Sequence, residues 1–368
     1  MKPAVILWLG ASFASTAPAR ATQGTGTPLA AVEEAARRDS NDAQALYALG
    51  VAYASAGRDA DAKRMFLETV RVDPQHALAY VALARRSGLD SARLLLHRAF
   101  QLNPFIETHH PDVFELPTSW VGTLQPALRH FHDGKLSQAL EEFGAVIQRT
   151  AVPDHPEKIP PIALRYHLLT ALRIARFDDA IRDGQLSLDV ALHFAQITDT
   201  AHDAVQALQG LSRELVTEAK YVLAEVYRAA GNGPEAERLY LQVLESDLSY
   251  YMAHARLAEM YEMERRWAEA VSERRRAVDA DPEDPSLVFD LGVTLANAGL
   301  LSEADSTLRR AAAANPREAR AMYVLGVVNV GLGRSAEARA AFNTFLSLAP
   351  SRDAGIIADA RQRLARSP

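Results

Sequence analysis

Apolar residues recur along this chain at the spacing of amphipathic helices, with a break at each turn residue. In residues 285–316, Leu291 and Leu295 lie on one stripe of a first predicted helix, and Leu308 lies on the stripe of a second. Gly299 separates the two helices, because glycine accepts the left-handed conformation that a tight turn needs. The pattern therefore predicts a helix–turn–helix unit.

The unit itself recurs at an interval of 34 residues. A fixed period of this length is typical of stacked helix pairs, each too small to bury its own apolar face. Small residues such as Gly292 and Ala304 are expected where the two helices cross closely, so Ala304→Leu should overpack the crossing and cost about 1–3 kcal/mol. The recurring positions are Ala236, Ala270, Ala304 and Ala338, then Leu223, Leu257, Leu291 and Leu325, then Pro282, Pro316 and Pro350.

These residues resemble the tetratricopeptide repeat, whose pattern places large, small, aromatic and proline residues in this order. The resemblance is regular over residues 217–350 and weaker before them. It implies an all-α, right-handed superhelical solenoid of antiparallel helix pairs, with about eight units, three of them degenerate, and a C-terminal capping helix. It also implies a scaffold or adaptor that binds a protein or peptide segment through its concave face.

The pattern divides the chain into six segments. Two extended helices are expected around residues 178–198 and 201–230, where the 34-residue period is interrupted. The segments are a signal peptide (1–21), an N-terminal partial repeat (22–42), repeats (43–104), degenerate repeats with loop and long-helix insertions (105–216), four regular repeats (217–350) and a capping helix (351–368).

The first residues indicate export. A short apolar run, residues 4–13, follows Lys2, and small residues then lead to Ala19-Arg20-Ala21, which has the form of a signal-peptidase site. The run is too short to span a bilayer comfortably. We therefore expect cleavage near Ala21 and a periplasmic or secreted protein with no integral membrane span. An uncleaved N-terminal helix is the alternative, because a single lysine is a weak positive start.

Composition and motifs exclude several function classes. The net charge is −6 and the longest basic run, residues 274–276, follows a glutamate, so nucleic acid is not an expected partner. The chain has no cysteine and no catalytic or phosphate-binding motif, so no enzyme activity and no cofactor are predicted. A metal or enzyme site at His109, His110, Asp112 and Glu115 is a weaker alternative, and His130 and His132 should point to different faces.

The resemblance places certain first-helix positions on the concave face. It implies a surface that runs from acidic to apolar and suits a partner with a basic end and an apolar segment. The family's carboxylate clamp is not supported, because its lysines and asparagines are replaced. The candidate peptide-binding residues are Tyr221, Glu225, Glu259, Glu262, Phe289, Val293, Tyr323 and Val327.

Two alternatives to this groove remain open. Val327 and Val330 could pack under the capping helix while the glutamates form a solvated face. The inner face could also meet a second copy of the chain, which would make the protein a self-associating structural solenoid, a homo-oligomer.

Overall fold

The computed structural model describes residues 29–105, 118–200, 206–282 and 284–366. Within these ranges the regular structure is helical, apart from one isolated bridge between Val152 and His155. The α-helices are α1 (Leu29–Arg38), α2 (Ala43–Ser55), α3 (Asp59–Val72), α4 (Ala77–Ala84), α5 (Leu89–Leu102), α6 (Thr118–His132), α7 (Leu136–Thr150), α8 (Pro161–Arg173), α9 (Phe177–Thr200), α10 (Gln206–Ala229), α11 (Gly233–Ser246), α12 (Tyr251–Met263), α13 (Trp267–Ala280), α14 (Pro285–Asn297), α15 (Leu301–Ala314), α16 (Ala319–Gly331), α17 (Ser335–Leu348) and α18 (Ala354–Arg366).

The helices from α2 to α17 form eight successive pairs, which confirms the predicted all-α class and the expected number of units. Helix α1 stands before the first pair. Helix α18 follows the last pair and covers it, because Ile356 and Ile357 pack against a cluster that contains Phe342 and Phe345. In the part of the chain that the structure describes, no helix combines the length and the apolar character needed to cross a membrane.

Glycine ends the first helix of most pairs. Gly299 follows α14 at φ 80°, in the left-handed region that side chains with a Cβ avoid. Two pairs use other residues at this point, Ala175 after α8 and Arg265 after α12, with φ of 57° and 60°. The remaining turn glycines with positive φ are Gly57, Gly134, Gly231 and Gly333.

A missing Cβ lets the two helices of a pair approach closely. A methyl group at Gly326 would lie 2.5 Å from Cε1 of Phe342, and one at Gly292 would lie 2.6 Å from Cγ of Leu308. Gly50 and Phe66 repeat this contact in the first pair. The small position and the large position are 16 residues apart in each case, so one packing rule serves all three pairs.

The chain forms two compact units, divided within α12. The first unit joins the residues up to Asn103 to those from His254 onward, and the second contains Pro104–Ala253. The second unit holds the two interrupting helices, α9 and α10, which are 24 residues each and pack along one another. These match the extended helices that the broken period predicts.

Candidate functional site: the inner face of the first helices

The predicted peptide-binding residues fall in both units. Tyr221 and Glu225 lie on α10 of the second unit, and the remaining candidates lie on α12, α14 and α16 of the first unit. We call the surface formed by these last three helices the inner face.

Tyr221 and Glu225 are core residues of the second unit. Tyr221 is 1% exposed, and its ring centroid lies 4.9 Å from that of Tyr250 and 5.9 Å from that of Tyr240. Glu225 accepts hydrogen bonds from the Tyr240 hydroxyl and, at 2.6 Å, from Arg228. Burial and the Glu225 charge raise the pKa of Tyr240 well above its usual value, which keeps the hydroxyl protonated as the donor. The packing here stabilises the fold and presents little surface.

The two glutamates of α12 are paired with arginines. Glu262 accepts a hydrogen bond from Nε of Arg274 at 3.0 Å and from the Thr294 hydroxyl at 2.6 Å. Glu259 accepts two from Arg256, at 2.8 and 2.9 Å. Both carboxylates are partly exposed, with 18% and 26% of their side-chain surface accessible. The inner face therefore carries carboxylates whose negative charge is neutralised by neighbouring arginines.

Asp290 on α14 is the carboxylate of the inner face with the longest contacts. Its Oδ2 lies 3.5 Å from the Arg274 guanidinium and 3.5 Å from Nε2 of Gln75. Burial raises the pKa of Asp290 to about 6, and Glu259 and Glu262 add to this rise, whereas Arg274 opposes it. Because 29% of the side chain is exposed, the carboxylate can be reached from solvent.

Sequence reasoning missed Asp290, because it stands one position after Phe289 and off the predicted inner stripe. The signal that could have found it is its neighbourhood. Asp290 lies near Glu259 and Glu262 and shares Arg274 with Glu262. A pattern based on the spacing of apolar residues does not reveal a cluster of charged side chains.

The apolar end of the inner face is largely occupied. Phe289 is 6% exposed, and the Arg320 guanidinium lies 5.5 Å from its ring centroid. The Tyr323 hydroxyl donates to Asp359 of α18 at 2.7 Å, and Val327 packs in the cluster that α18 covers. The alternative reading of Val327, as packing under the capping helix, is thus the one that the structure supports.

Two valines keep surface on this side. Val293 is half-buried, and Val330 is 45% exposed. Together with Asp290 they leave an acidic group with apolar neighbours along α14 and α16. Elsewhere on the inner face Ala255 and Ala296 are buried, and Ser286 and Arg320 are half-buried.

The histidine-bearing insertion adds little to the site. His109, His110, Asp112 and Glu115 lie outside the described residues, as does the predicted leader of residues 1–21. His130 is half-buried with its Nδ1 3.0 Å from Glu142, whereas His132 is exposed. The two side chains point apart, as their spacing on α6 predicts.

Comparison with known proteins matches the repeats. The family model described as tetratricopeptide repeat matches residues 29–77, 221–285 and 289–353. No curated protein matches the sequence. Among solved structures, the C-terminal part of a tetratricopeptide repeat-containing protein from Cytophaga hutchinsonii is 12% identical, with 61% of this chain and 78% of that chain covered and a TM-score of 0.46.

A second similar structure is MamA, residues 41 to the end, from Desulfovibrio magneticus RS-1. It is 19% identical, with 51% of this chain and 94% of that chain covered and a TM-score of 0.40. The chain therefore contains tetratricopeptide repeats over these matched residues, and such repeats support a role as a protein–protein interaction scaffold.

Proposed function

We propose that this chain is an exported scaffold that captures a protein segment through the inner face of α12, α14 and α16. The segment carries a lysine or arginine that pairs with Asp290 and an apolar residue beside it that contacts Val293. The observation that carries the proposal is Asp290 itself, a solvent-accessible carboxylate whose nearest donors stand at 3.5 Å.

The chemistry of Asp290 favours a cationic partner. A guanidinium or ammonium group brought to the usual distance of about 2.8 Å would form a charge-assisted hydrogen bond stronger than the existing contacts. It would also offset the repulsion from Glu259 and Glu262, which adds to the rise in the pKa of Asp290 that burial causes. Partner binding would therefore lower this pKa, and affinity should rise as the pH increases from 5 to about 7.

The apolar contact would supply the second part of the affinity. Burial of apolar surface stabilises a complex by about 25 cal/mol per Å², and charge complementarity acts more on partner choice and on the rate of encounter. Val293 lies one helical turn after Asp290 on α14, so a segment that places a cationic and an apolar side chain about one turn apart would reach both.

A peptide selection tests the binding proposal. Phage displaying random 12-residue peptides are selected on the purified chain, and the enriched peptides are measured against wild type, Asp290→Asn and Asp279→Asn. Asp279 is the matched control, because it is an exposed aspartate on α13, a second helix. We expect enriched peptides to combine a basic and an apolar residue, and to lose about tenfold in affinity with Asp290→Asn alone.

Two outcomes would contradict the proposal: no enrichment on the wild-type chain, or equal affinity for both variants. The alternative of self-association is separated by the mass from light scattering. A dimer that persists when an enriched peptide is added would favour the alternative.

Export is tested separately. The leader pattern ending at Ala21 supports it. N-terminal sequencing of the protein recovered from its native cells should begin at Thr22, and a protein that begins at Met1 in the cytoplasm would refute this part of the proposal.

A further inference from the structure

The first unit is built from two distant segments of the chain. We call α1–α5 the leading segment and the part from α13 onward the trailing segment. The apolar cluster formed by residues 36–83 belongs to the leading segment alone, and that formed by residues 319–360 belongs to the trailing segment alone. Hydrogen bonds and ion pairs join the two segments, and we call this set of contacts the seam.

One end of the seam is centred on Arg98 of α5. Its guanidinium binds both Asp281 and Asp284, the residues of the turn between α13 and α14. Asp284 is almost fully buried and also accepts from the Ser286 backbone at 2.8 Å, as the N-cap of α14. Arg98 of the leading segment therefore neutralises the negative charge of the N-cap aspartate of α14, a helix of the inner face.

The middle of the seam is centred on Arg317, in the turn between α15 and α16. It donates to Asn41 at 2.8 Å, to Glu68 at 2.9 Å and to the carbonyl oxygen of Ser40. Because one guanidinium holds three groups of the leading segment, its removal would release all three together.

The far end of the seam joins the turn after α17 to the turn before α2. Arg352 donates to Asp42 at 2.6 Å, and the backbone amide of Ser351 donates to Asp39 at 3.0 Å. Asn41 donates to the carbonyl oxygen of Leu348 at 3.1 Å. Turns of the two segments thus contact each other here. Along the whole seam, later residues of the trailing segment contact earlier residues of the leading segment.

The seam also brings the turn between α3 and α4 over Asp290. Gln75 of this turn reaches the Asp290 carboxylate, and Asp73 interacts electrostatically with Arg320 of α16. Asn315 reaches the carbonyl oxygen of Val72, at 3.5 Å. The leading segment therefore contacts the same carboxylate, Asp290, to which the proposed partner would bind.

We propose that the seam is a salt-labile clasp, which holds Gln75 against the partly exposed Asp290 when it is closed and exposes the inner face further when it opens. Salt screens exposed ion pairs most, so the contacts of Arg352 and Arg317, whose side chains are 49% and 30% exposed, weaken first, whereas apolar cores do not weaken. Each segment keeps its own apolar cluster, so the clasp can open without unfolding either segment. The opening of the clasp is independent of any partner, and only its effect on partner binding rests on the proposed function.

Distance measurement tests the clasp directly. Because the chain has no cysteine, spin labels can be attached through Lys63→Cys on α3 and Arg310→Cys on α15, both exposed positions away from the seam contacts. At about 0.1 M salt we expect one narrow distance distribution, and at about 1 M salt a second and longer one. Arg98→Glu combined with Arg317→Glu should give the longer distance at low salt.

Two variants keep this test specific. Arg275→Glu is the matched control, because it breaks an exposed ion pair with Glu303 inside the trailing segment and should leave the distance unchanged. In a second pair of variants, Arg317→Glu should lengthen the distance and the added Glu68→Arg should restore it at least in part. An unchanged distance at high salt and in the double charge reversal would overturn the clasp.

Carbodiimide labelling with glycine ethyl ester tests the covering of Asp290. We expect its modification rate, read by mass spectrometry, to rise about fivefold or more in the Arg98→Glu, Arg317→Glu variant and at high salt, relative to exposed Glu34 in the same sample. If the distance lengthens and the labelling rate does not, the clasp opens without exposing the inner face, and its gating role is refuted. Failure of the peptide selection would not change the distance or the labelling rate. The scaffold proposal and the clasp proposal can therefore be refuted independently.

Discussion

The two compact units use the same helix-pair plan with different contents. In the first unit a glycine meets a large apolar side chain at the crossings of three pairs, as at Gly326 and Phe342. In the second unit the contact between α8 and α9 includes a buried polar pair. His167 of α8 and Asp183 of α9 form a hydrogen-bonded pair, and His167 packs against Gly144 of the preceding pair.

A polar pair of this kind is harder to predict from the sequence than a glycine crossing, and the first unit holds one as well, between His254 and Glu273. A glycine opposite a bulky residue satisfies the crossing with apolar contacts alone, so it recurs with the period. A histidine–carboxylate pair needs two specific partners in different helices, and a sequence pattern based on apolar positions overlooks it.

The buried pair of the second unit should be the most sensitive to removal of one partner. Asp183 is 2% exposed, and burial raises its pKa while His167 opposes that rise. We expect His167→Leu to destabilise the unit by about 3 kcal/mol, because it leaves the carboxyl buried without its partner. The measurement is the urea midpoint, followed with hydrogen exchange in α8 and α9.

The double variant His167→Leu, Asp183→Leu is the control for this pair. It removes both polar groups, so it should recover most of the lost stability. A double variant that is as unstable as the single one would show that volume and not polarity decides the packing at this crossing.

The glycine crossing of the first unit should respond almost as strongly to a single methyl group. A Cβ at Gly326 would lie 2.5 Å from the Phe342 ring, so we expect Gly326→Ala to destabilise α16 and α17 by about 2 kcal/mol. Gly122 of α6 has nothing within 4 Å of the same atom, and Gly122→Ala should stabilise by up to about 1 kcal/mol through helix propensity. Calorimetry of both variants checks the opposite signs.

Asp290 should give the first unit a pH dependence of its own. Its pKa is raised from 3.8 to about 6, so the folded state binds the proton more tightly than the unfolded state does. Stability from this group is therefore greatest below pH 4 and is lost as the pH rises through about 6. We expect a loss of about 1–2 kcal/mol, after allowance for solvent exposure.

Urea unfolding at pH 4.5 and pH 7.5 checks this dependence. The difference between wild type and Asp290→Asn should be small at the lower pH and should favour the variant at the higher pH. Asp279→Asn supplies the matched baseline, and a variant whose profile runs parallel to that of wild type would refute the assigned pKa.

The sequence predicted the fold class, the eight helix pairs and the long helices α9 and α10, because these depend on apolar spacing and on turn residues that act locally. The polar seam was not predicted. Arg98 and Asp281 are 183 residues apart, and their meeting depends on how the leading and trailing segments pack, which no local pattern encodes. Asp290 was missed for the same reason, since its neighbours come from α12, α13 and the leading segment.

The turn positions allow the mildest test, and they occur in both units. Ala175 of the second unit and Arg265 of the first have positive φ where five other pairs have glycine. A Cβ in this region costs about 1 kcal/mol, so Ala175→Gly and Arg265→Gly should each stabilise by that amount, less the entropy that glycine gains in the unfolded chain. Gly299→Ala should destabilise by a similar amount, and thermal unfolding of the three variants provides the measurement. Equal unfolding temperatures for Arg265→Gly and wild type would mean that the surrounding hydrogen bonds, such as that from the Arg265 amide to Glu262, compensate for the strained turn.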